Sequence, residues 1–204
     1  MVETPEQALR ERIEILDGLL GREYGRKEWR RRDPLEALML TILSQNTNDV
    51  NRDRAYRELR HRFPTWEAVR DADPGEVVEA IRIAGLANQK GPRMQEALRT
   101  VTERTGGLHL DFLTAMDMAE ARAWLTSIKG VGPKTAAIVL CFSFGKPAFP
   151  VDTHVHRVTK RLGLIGPKVN REQAHLSLEA MGPPELCYTF HVNLIEHGRR
   201  VFRA

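Results

Sequence analysis

The segment Ala136–Phe144 is apolar on nearly every side, and it constrains the fold more than any other part of the chain. A helix without a polar face has to lie in the interior, so this segment predicts a buried central helix. Pro133 is suited to its first position, because proline lacks the N–H that a helix start leaves unpaired. Two prolines, Pro147 and Pro150, interrupt the chain after it.

Other segments repeat apolar residues at helical spacing. One helix is predicted behind an Asp33 cap, and another begins at Asp73-Pro74 and is stopped by Gly85. Further helices are predicted over Pro92–Arg104 and Met116–Ile128. No alternating segment is long enough to predict a strand, so the chain is predicted to be all-α.

Composition narrows the class of protein. A chain of 204 residues can bury a core without metals or disulfides, and its net charge of +4 mildly favours polyanionic partners. Cys141 and Cys187 are the only cysteines in the sequence, and their spacing fits neither a zinc site nor a disulfide framework. Without an apolar leader or a long apolar run, we expect a cytoplasmic protein that does not enter a membrane.

The turn within Ile128–Ala136 is the first motif that suggests chemistry. It is too tight for large side chains, so its amides and those of the next helix start are exposed and can bind an anion. The candidate phosphate contacts are Gly130, Val131, Gly132 and Thr135. A glycine turn is also an ordinary connection between helices, so the turn alone leaves both interpretations open.

Lys134 and Asp152 are the candidate catalytic residues. Lys134 falls in the first turn of a helix, where the helix dipole disfavours a positive charge, and an unprotonated amine there could attack a sugar carbon. The alternative is a solvated lysine that contacts phosphate. Asp152 could accept a proton or stabilise positive charge on the sugar, but it is equally suited to cap the next helix.

The polar run Ser44–Asp49 directly follows a strongly apolar helix face. Its side chains Gln45, Asn46 and Thr47 could hydrogen-bond base edges or fill the gap that an extruded nucleotide leaves in DNA. A polar helix end is the alternative interpretation of the same residues.

Five blocks of this sequence resemble, in order and spacing, the endonuclease III family of helix-hairpin-helix DNA glycosylases. The resemblance covers roughly residues 30 to 200. The blocks are Leu43–Asp49, Gly85–Lys90, Gly130–Ala136, Val151–Arg157 and His197–Arg199.

The resemblance implies a two-lobed, all-helical fold. Residues 30–146 would form a six-helix lobe that contains the hairpin, and residues 1–29 with 147–204 would form the second lobe. Double-stranded DNA that contains a damaged base or an abasic site would bind between them. We expect a monomer that acts on the chromosome of a bacterial or archaeal cell.

The same resemblance implies that Lys134 attacks the sugar carbon, expels the base, forms a Schiff base and then cleaves the strand by β-elimination. It also implies that Asp152 is the essential aspartate. Oxidised pyrimidines are the implied substrates. Gln45 or Asn46 would fill the gap in the duplex. Three further residues are implied near the DNA, namely Lys90, His154 and Arg157.

The sequence departs from the family at the iron–sulfur cluster. Close relatives carry four cluster cysteines, the first at the position of Phe202, and two cysteines cannot supply four ligands. We therefore predict no cluster, although the hairpin of this family can also hold a monovalent cation. Two basic groups, Arg199/Arg200/Arg203 and Arg26/Lys27/Arg30/Arg31/Arg32, are either compensating phosphate contacts or solvated surface.

Two other functions stay open at this point. A monofunctional mismatch or uracil glycosylase of the same fold would use Asp152 to activate water, although such relatives usually lack the hairpin lysine. A helix-hairpin-helix module that only binds DNA would need the glycines and the basic charge, but not the pair of Lys134 and Asp152.

Overall fold

The computed structural model describes residues 5–202, and its regular structure there is entirely helical, as predicted. Arg203 lies outside the described residues. Within residues 5–202, every helix is too short or too polar to span a bilayer. The helices are α1 (Pro5–Tyr24), α2 (Pro34–Leu43), α3 (Asp49–Arg62), α4 (Trp66–Asp71), α5 (Pro74–Ala80), α6 (Ala87–Thr105), α7 (Met118–Thr126), α8 (Pro133–Phe144), α9 (Thr153–Arg161), α10 (Arg171–Met181) and α11 (Cys187–Val201).

The chain divides into two compact units. Arg32–Ala136 forms the middle unit, and the described residues on either side of it form the terminal unit. The division falls within α8, before the proline-bounded loop at which we place the lobe boundary from the sequence.

Local signals in the middle unit account for most helix starts. The Asp33 side chain accepts a hydrogen bond from Glu36 N at 2.7 Å, which confirms the predicted cap of α2. The Asp73 side chain likewise accepts from Gly75 N at 2.8 Å at the start of α5. That helix ends at Ala80 rather than continuing to Gly85, and a 3-10 turn fills the interval.

The predicted start of α6 at Pro92 is wrong, because the helix begins at Ala87 and contains Pro92. Packing against α5 sets this earlier start: Ala87, Lys90 and Gly91 are buried. A Cβ at Gly91 would lie 3.0 Å from Val78 Cγ2, so glycine allows the close approach. Tertiary contact outweighs the local preference of proline for a first helical turn.

The central helix α8 begins at Pro133 and is largely buried, which confirms both predictions. In the terminal unit the Trp29 indole donates a hydrogen bond to the Cys141 carbonyl at 2.9 Å. The loop that follows α8 is held by two buried histidines, because His175 and His191 donate to the carbonyls of Phe149 and Pro150, each at 2.8 Å.

Helices α1 and α9 both pack against α11 in the terminal unit. Helices α9 and α11 approach closely at Gly198, where an added Cβ would lie 2.9 Å from His154 Cβ and 3.3 Å from Val158 Cγ2. Only glycine fits this position without a shift of one helix against the other.

We expect Gly198→Ala to lower the free energy of unfolding by about 1–3 kcal/mol, because the added methyl forces α9 and α11 apart. Urea unfolding measures the change. The matched control is Gly18→Ala in α1, where a Cβ would meet nothing within 4 Å, and it should be neutral or slightly stabilising. Equal unfolding midpoints for both variants would contradict the packing argument.

Candidate functional site

The hairpin between α7 and α8 is built by two backbone hydrogen bonds and one left-handed glycine. Gly130 has a φ of +85°, and Val131 N donates to Ile128 O at 3.0 Å. Ala136 N donates to Gly132 O at 3.0 Å, which closes the first turn of α8. The N–H groups of Gly132, Lys134 and Thr135 find no acceptor among the described residues. These amides can therefore bind an anion at the positive end of the helix.

Lys134 is exposed in this first turn, and its ammonium has no hydrogen-bond or ion-pair partner within residues 5–202. Lys129 is a second exposed lysine, on the other side of the same turn. Thr135 and Val131 are buried, so their side chains pack in the interior and hold the hairpin in place.

The polar run after α2 forms a turn that leads into α3. Asn48 caps α3 by accepting from Asn51 N at 2.9 Å, and Asn46 is exposed with a φ of +50°. Gln45 and Thr47 are half-buried. We call the segment Gln45–Asn48 the amide loop.

The amide loop faces the turn between α5 and α6. Asn46, Thr47 and Asn48 line one side of an open depression, and Ile83 and Gly85 line the other. Two of the sequence blocks that resemble the family therefore meet on one surface of the middle unit.

Lys90 does not reach that surface with its charge. The residue is 1% exposed, and its ammonium donates to the Ala84 carbonyl at 2.8 Å. Burial lowers the pKa of this amine below its ordinary value. In this conformation the ammonium is bonded to the turn before α6 and is unavailable to a phosphate.

Two residues of this surface were not selected from the sequence. Leu86 is 47% exposed and has a φ of +50°, which is unfavourable for leucine. In the sequence, the signal for an exposed Leu86 was its position directly after Gly85, a predicted turn glycine. Arg93 is exposed, and it donates to Gln45 Oε1 at 3.4 Å. Because the predicted start of α6 was wrong, the sequence did not indicate the direction of this side chain.

Asp152 belongs to the terminal unit and caps α9, as predicted. Its Oδ1 accepts from Val155 N at 2.7 Å, whereas its Oδ2 has no partner among the described residues. The side chain is half-buried. One oxygen is thus fixed by the helix, and the other remains available for chemistry.

Arg157 faces the interior of the terminal unit. Its Nη2 donates to the carbonyls of Gly198 and Phe202, at 3.2 and 3.0 Å, and lies 3.2 Å from His154 Nδ1. The guanidinium also lies 5.7 Å from the centre of the Phe202 ring. These contacts tie α9 to the end of α11, and His154 is half-buried beside them.

Known proteins that resemble this chain in sequence and structure agree with this geometry. Residues 39–184 match the model of the HhH-GPD superfamily base excision DNA repair proteins. The chain is 35% identical to a putative DNA glycosylase of Arabidopsis thaliana over 81% of its own length and 56% of that protein's. It is also 35% identical to endonuclease III of Thermotoga maritima, over 83% of this chain and 75% of that one.

A solved structure of a trapped endonuclease III–DNA covalent intermediate superposes with a TM-score of 0.79 and 26% identity, over 98% of this chain and 89% of that one. The fold and the hairpin therefore define an all-helical DNA glycosylase. The chain belongs to the HhH-GPD superfamily of base excision DNA repair proteins, alongside endonuclease III.

Proposed function

We propose that this protein is a bifunctional DNA glycosylase and abasic-site lyase, in which Lys134 is the nucleophile. The observation that supports the proposal most is an exposed, unpartnered amine in the first turn of α8, beside hairpin amides that lack acceptors. A phosphate bound by those amides would bring the adjoining sugar to the amine.

The proposed reaction begins with a neutral Lys134 amine. Its lone pair forms a bond to the anomeric carbon as the glycosidic bond breaks, and the base leaves with the bonding electrons and is protonated. Ring opening gives a Schiff base, which acidifies the neighbouring carbon. Loss of a proton there expels the 3′ phosphate, and hydrolysis of the Schiff base regenerates the lysine.

Asp152 has two tasks in this proposal. Its Oδ1 caps α9 and so holds the carboxylate in place. The unpartnered Oδ2 would accept the proton of Lys134 or stabilise the positive charge that develops on the sugar.

The substrate we propose is double-stranded DNA with an oxidised pyrimidine or an abasic site, bound by a monomer in a bacterial or archaeal cytoplasm. The amides of Gly130, Gly132 and Thr135 would bind the backbone phosphate, whereas the Val131 N–H donates to Ile128 within the turn. Gln45, Asn46 and Thr47, with the exposed Leu86, would fill the space of the extruded nucleotide, since amides and apolar side chains both substitute for a base in a stack. His154, two residues after Asp152, would lie near the DNA.

The residues present do not fit the family's iron–sulfur cluster. Four thiolates are needed, and burial raises the pKa of both Cys141 and Cys187 to about 12, which disfavours their thiolates. Phe202 contacts Arg161, whose guanidinium carbon lies 4.1 Å from the ring centre. We therefore propose that these 204 residues act without a cluster. A monovalent cation would use the carbonyl oxygens of the hairpin, and no proposed step depends on it.

We expect purified protein to contain no stoichiometric iron or acid-labile sulfide. Metal analysis of protein isolated without exposure to oxygen measures both. About four irons per chain would contradict this proposal, because that is the content of the common thiolate-bound cluster.

We expect Lys134→Gln to abolish the covalent adduct that borohydride forms between the wild-type protein and an abasic duplex, because an amide cannot form a Schiff base. Gel electrophoresis of the reduced mixture measures the adduct. Lys129→Gln is the matched control, since it removes an exposed lysine of the same turn, and it should still be trapped. An undiminished adduct in Lys134→Gln would refute the assignment.

Asp152→Asn tests the role of the carboxylate, because asparagine also caps helices well and the fold should be kept. Our proposal predicts that it slows base excision by about 100-fold or more. A wild-type protein that excises bases but is never trapped would instead be a monofunctional mismatch or uracil glycosylase. Salt-sensitive DNA binding without any strand processing would identify a binding module.

A further inference from the structure

Arg93 occupies the space between the hairpin and the amide loop, and neither the family comparison nor the sequence motifs give it a role. Its stem passes Gly130 so closely that a Cβ there would lie 3.3 Å from Arg93 Cδ. Its Nη1 reaches Gln45 Oε1 at 3.4 Å. One side chain on α6 therefore contacts two separate loops of the middle unit.

The charge of Arg93 is not neutralised by the protein. The residue is exposed, and no carboxylate pairs with it in the described part of the chain. The amide oxygen of Gln45 uses one of the five guanidinium donors, so the others face solvent. Four other arginines of this unit, Arg52, Arg62, Arg70 and Arg82, each contact an acid.

We propose that Arg93 binds a DNA backbone phosphate next to the one held by the hairpin amides, and that it orients Gln45 at the same time. This inference rests on the proposed function. A guanidinium suits the task, because its planar donors can serve a phosphate and an amide oxygen together.

We expect Arg93→Gln to reduce the salt dependence of duplex binding, with a slope of log K against log salt that is less steep by about 0.9, the value for one phosphate contact on duplex DNA. Fluorescence anisotropy on an unmodified duplex at several salt concentrations measures the slope. Arg93→Lys should retain most of it, since the cation remains.

Arg99→Gln is the matched control, because Arg99 is an exposed arginine of the same helix that donates to the Arg70 carbonyl at 3.2 Å. Its slope should equal that of the wild type. An unchanged slope for Arg93→Gln would overturn the phosphate contact, even if recognition of a lesion were lost. A wild type that neither binds duplex nor is trapped would instead refute the proposed function.

A second inference concerns Lys90, the buried lysine of the same helix. A buried ammonium is costly unless it is paired, yet here it has a carbonyl and no carboxylate as its partner within residues 5–202. An apolar side chain of similar length would fill the site at lower cost. We therefore look for the role of Lys90 in the segment that its hydrogen bond stabilises.

The hydrogen bond holds a strained turn. Ala84, whose carbonyl accepts it, is followed by Gly85 with a φ of +67° and by Leu86 with a φ of +50°. Strained positions persist only where surrounding contacts fix them, and they are concentrated at functional sites. The side chain that this turn presents is the exposed Leu86, beside the depression lined by the amide loop.

The geometry points to Lys90 as a positioning residue that holds Leu86 in place for insertion into a lesion-containing duplex. The proposal again rests on the proposed function. It assigns Lys90 no contact with DNA, in contrast to the expectation from the sequence.

We expect Leu86→Ala to reduce the preference for an abasic-analogue duplex over an unmodified duplex by about tenfold, which corresponds to about 1.4 kcal/mol. Lys90→Met should reduce the same preference and leave binding of the unmodified duplex unchanged. In the double variant the loss should equal that of Leu86→Ala alone, because Lys90 acts through Leu86. Competition binding with both duplexes measures all three.

Lys160→Met is the matched control, since the Lys160 ammonium also donates to a carbonyl, that of Pro167, at 2.8 Å. It should not change the preference. If the two losses of preference, from Lys90→Met and Leu86→Ala, add fully in the double variant, the proposal is overturned and the Lys90 effect is general destabilisation. If Lys90→Met does not fold, Leu86→Gly serves as the second test. Glycine relieves the backbone strain, so the urea midpoint should rise while the preference for the abasic-analogue duplex falls. An unchanged preference would overturn the proposal.

Discussion

The burial of α8 is the constraint on which the other features depend. Its residues from Ala137 onward belong to the core of the terminal unit, whereas Pro133–Ala136 belong to the middle unit. The helix begins with the turn that carries the hairpin amides, and its later apolar residues are buried. The hairpin amides and the Lys134 amine thus lie at the start of a largely buried helix.

Local signals predicted the parts of the structure that local chemistry decides. Asp33 and Asp152 cap helices, Pro133 starts α8, and the apolar segment after it is buried. The sequence failed where tertiary contacts decide. Close packing at Gly91 moved the start of α6 ahead of Pro92, and that error concealed both the burial of Lys90 and the direction of Arg93.

Arg157 illustrates the same limit in the terminal unit. The motif that contains it implies a place near DNA, but its side chain is engaged with the carbonyls of Gly198 and Phe202. Tyr24, His197 and Phe202 form successive edge-to-face contacts around this point. Three aromatic rings and the Arg157 guanidinium therefore pack together at the end of α11. No periodicity in the sequence indicates such contacts.

We propose that one amine, that of Lys134, forms the bond to the sugar. The most direct measurement is mass spectrometry of the proteolysed, borohydride-reduced adduct between the wild-type protein and an abasic oligonucleotide. We expect the deoxyribose remnant to be attached to Lys134. Attachment to Lys129, or to any residue outside the first turn of α8, would contradict it.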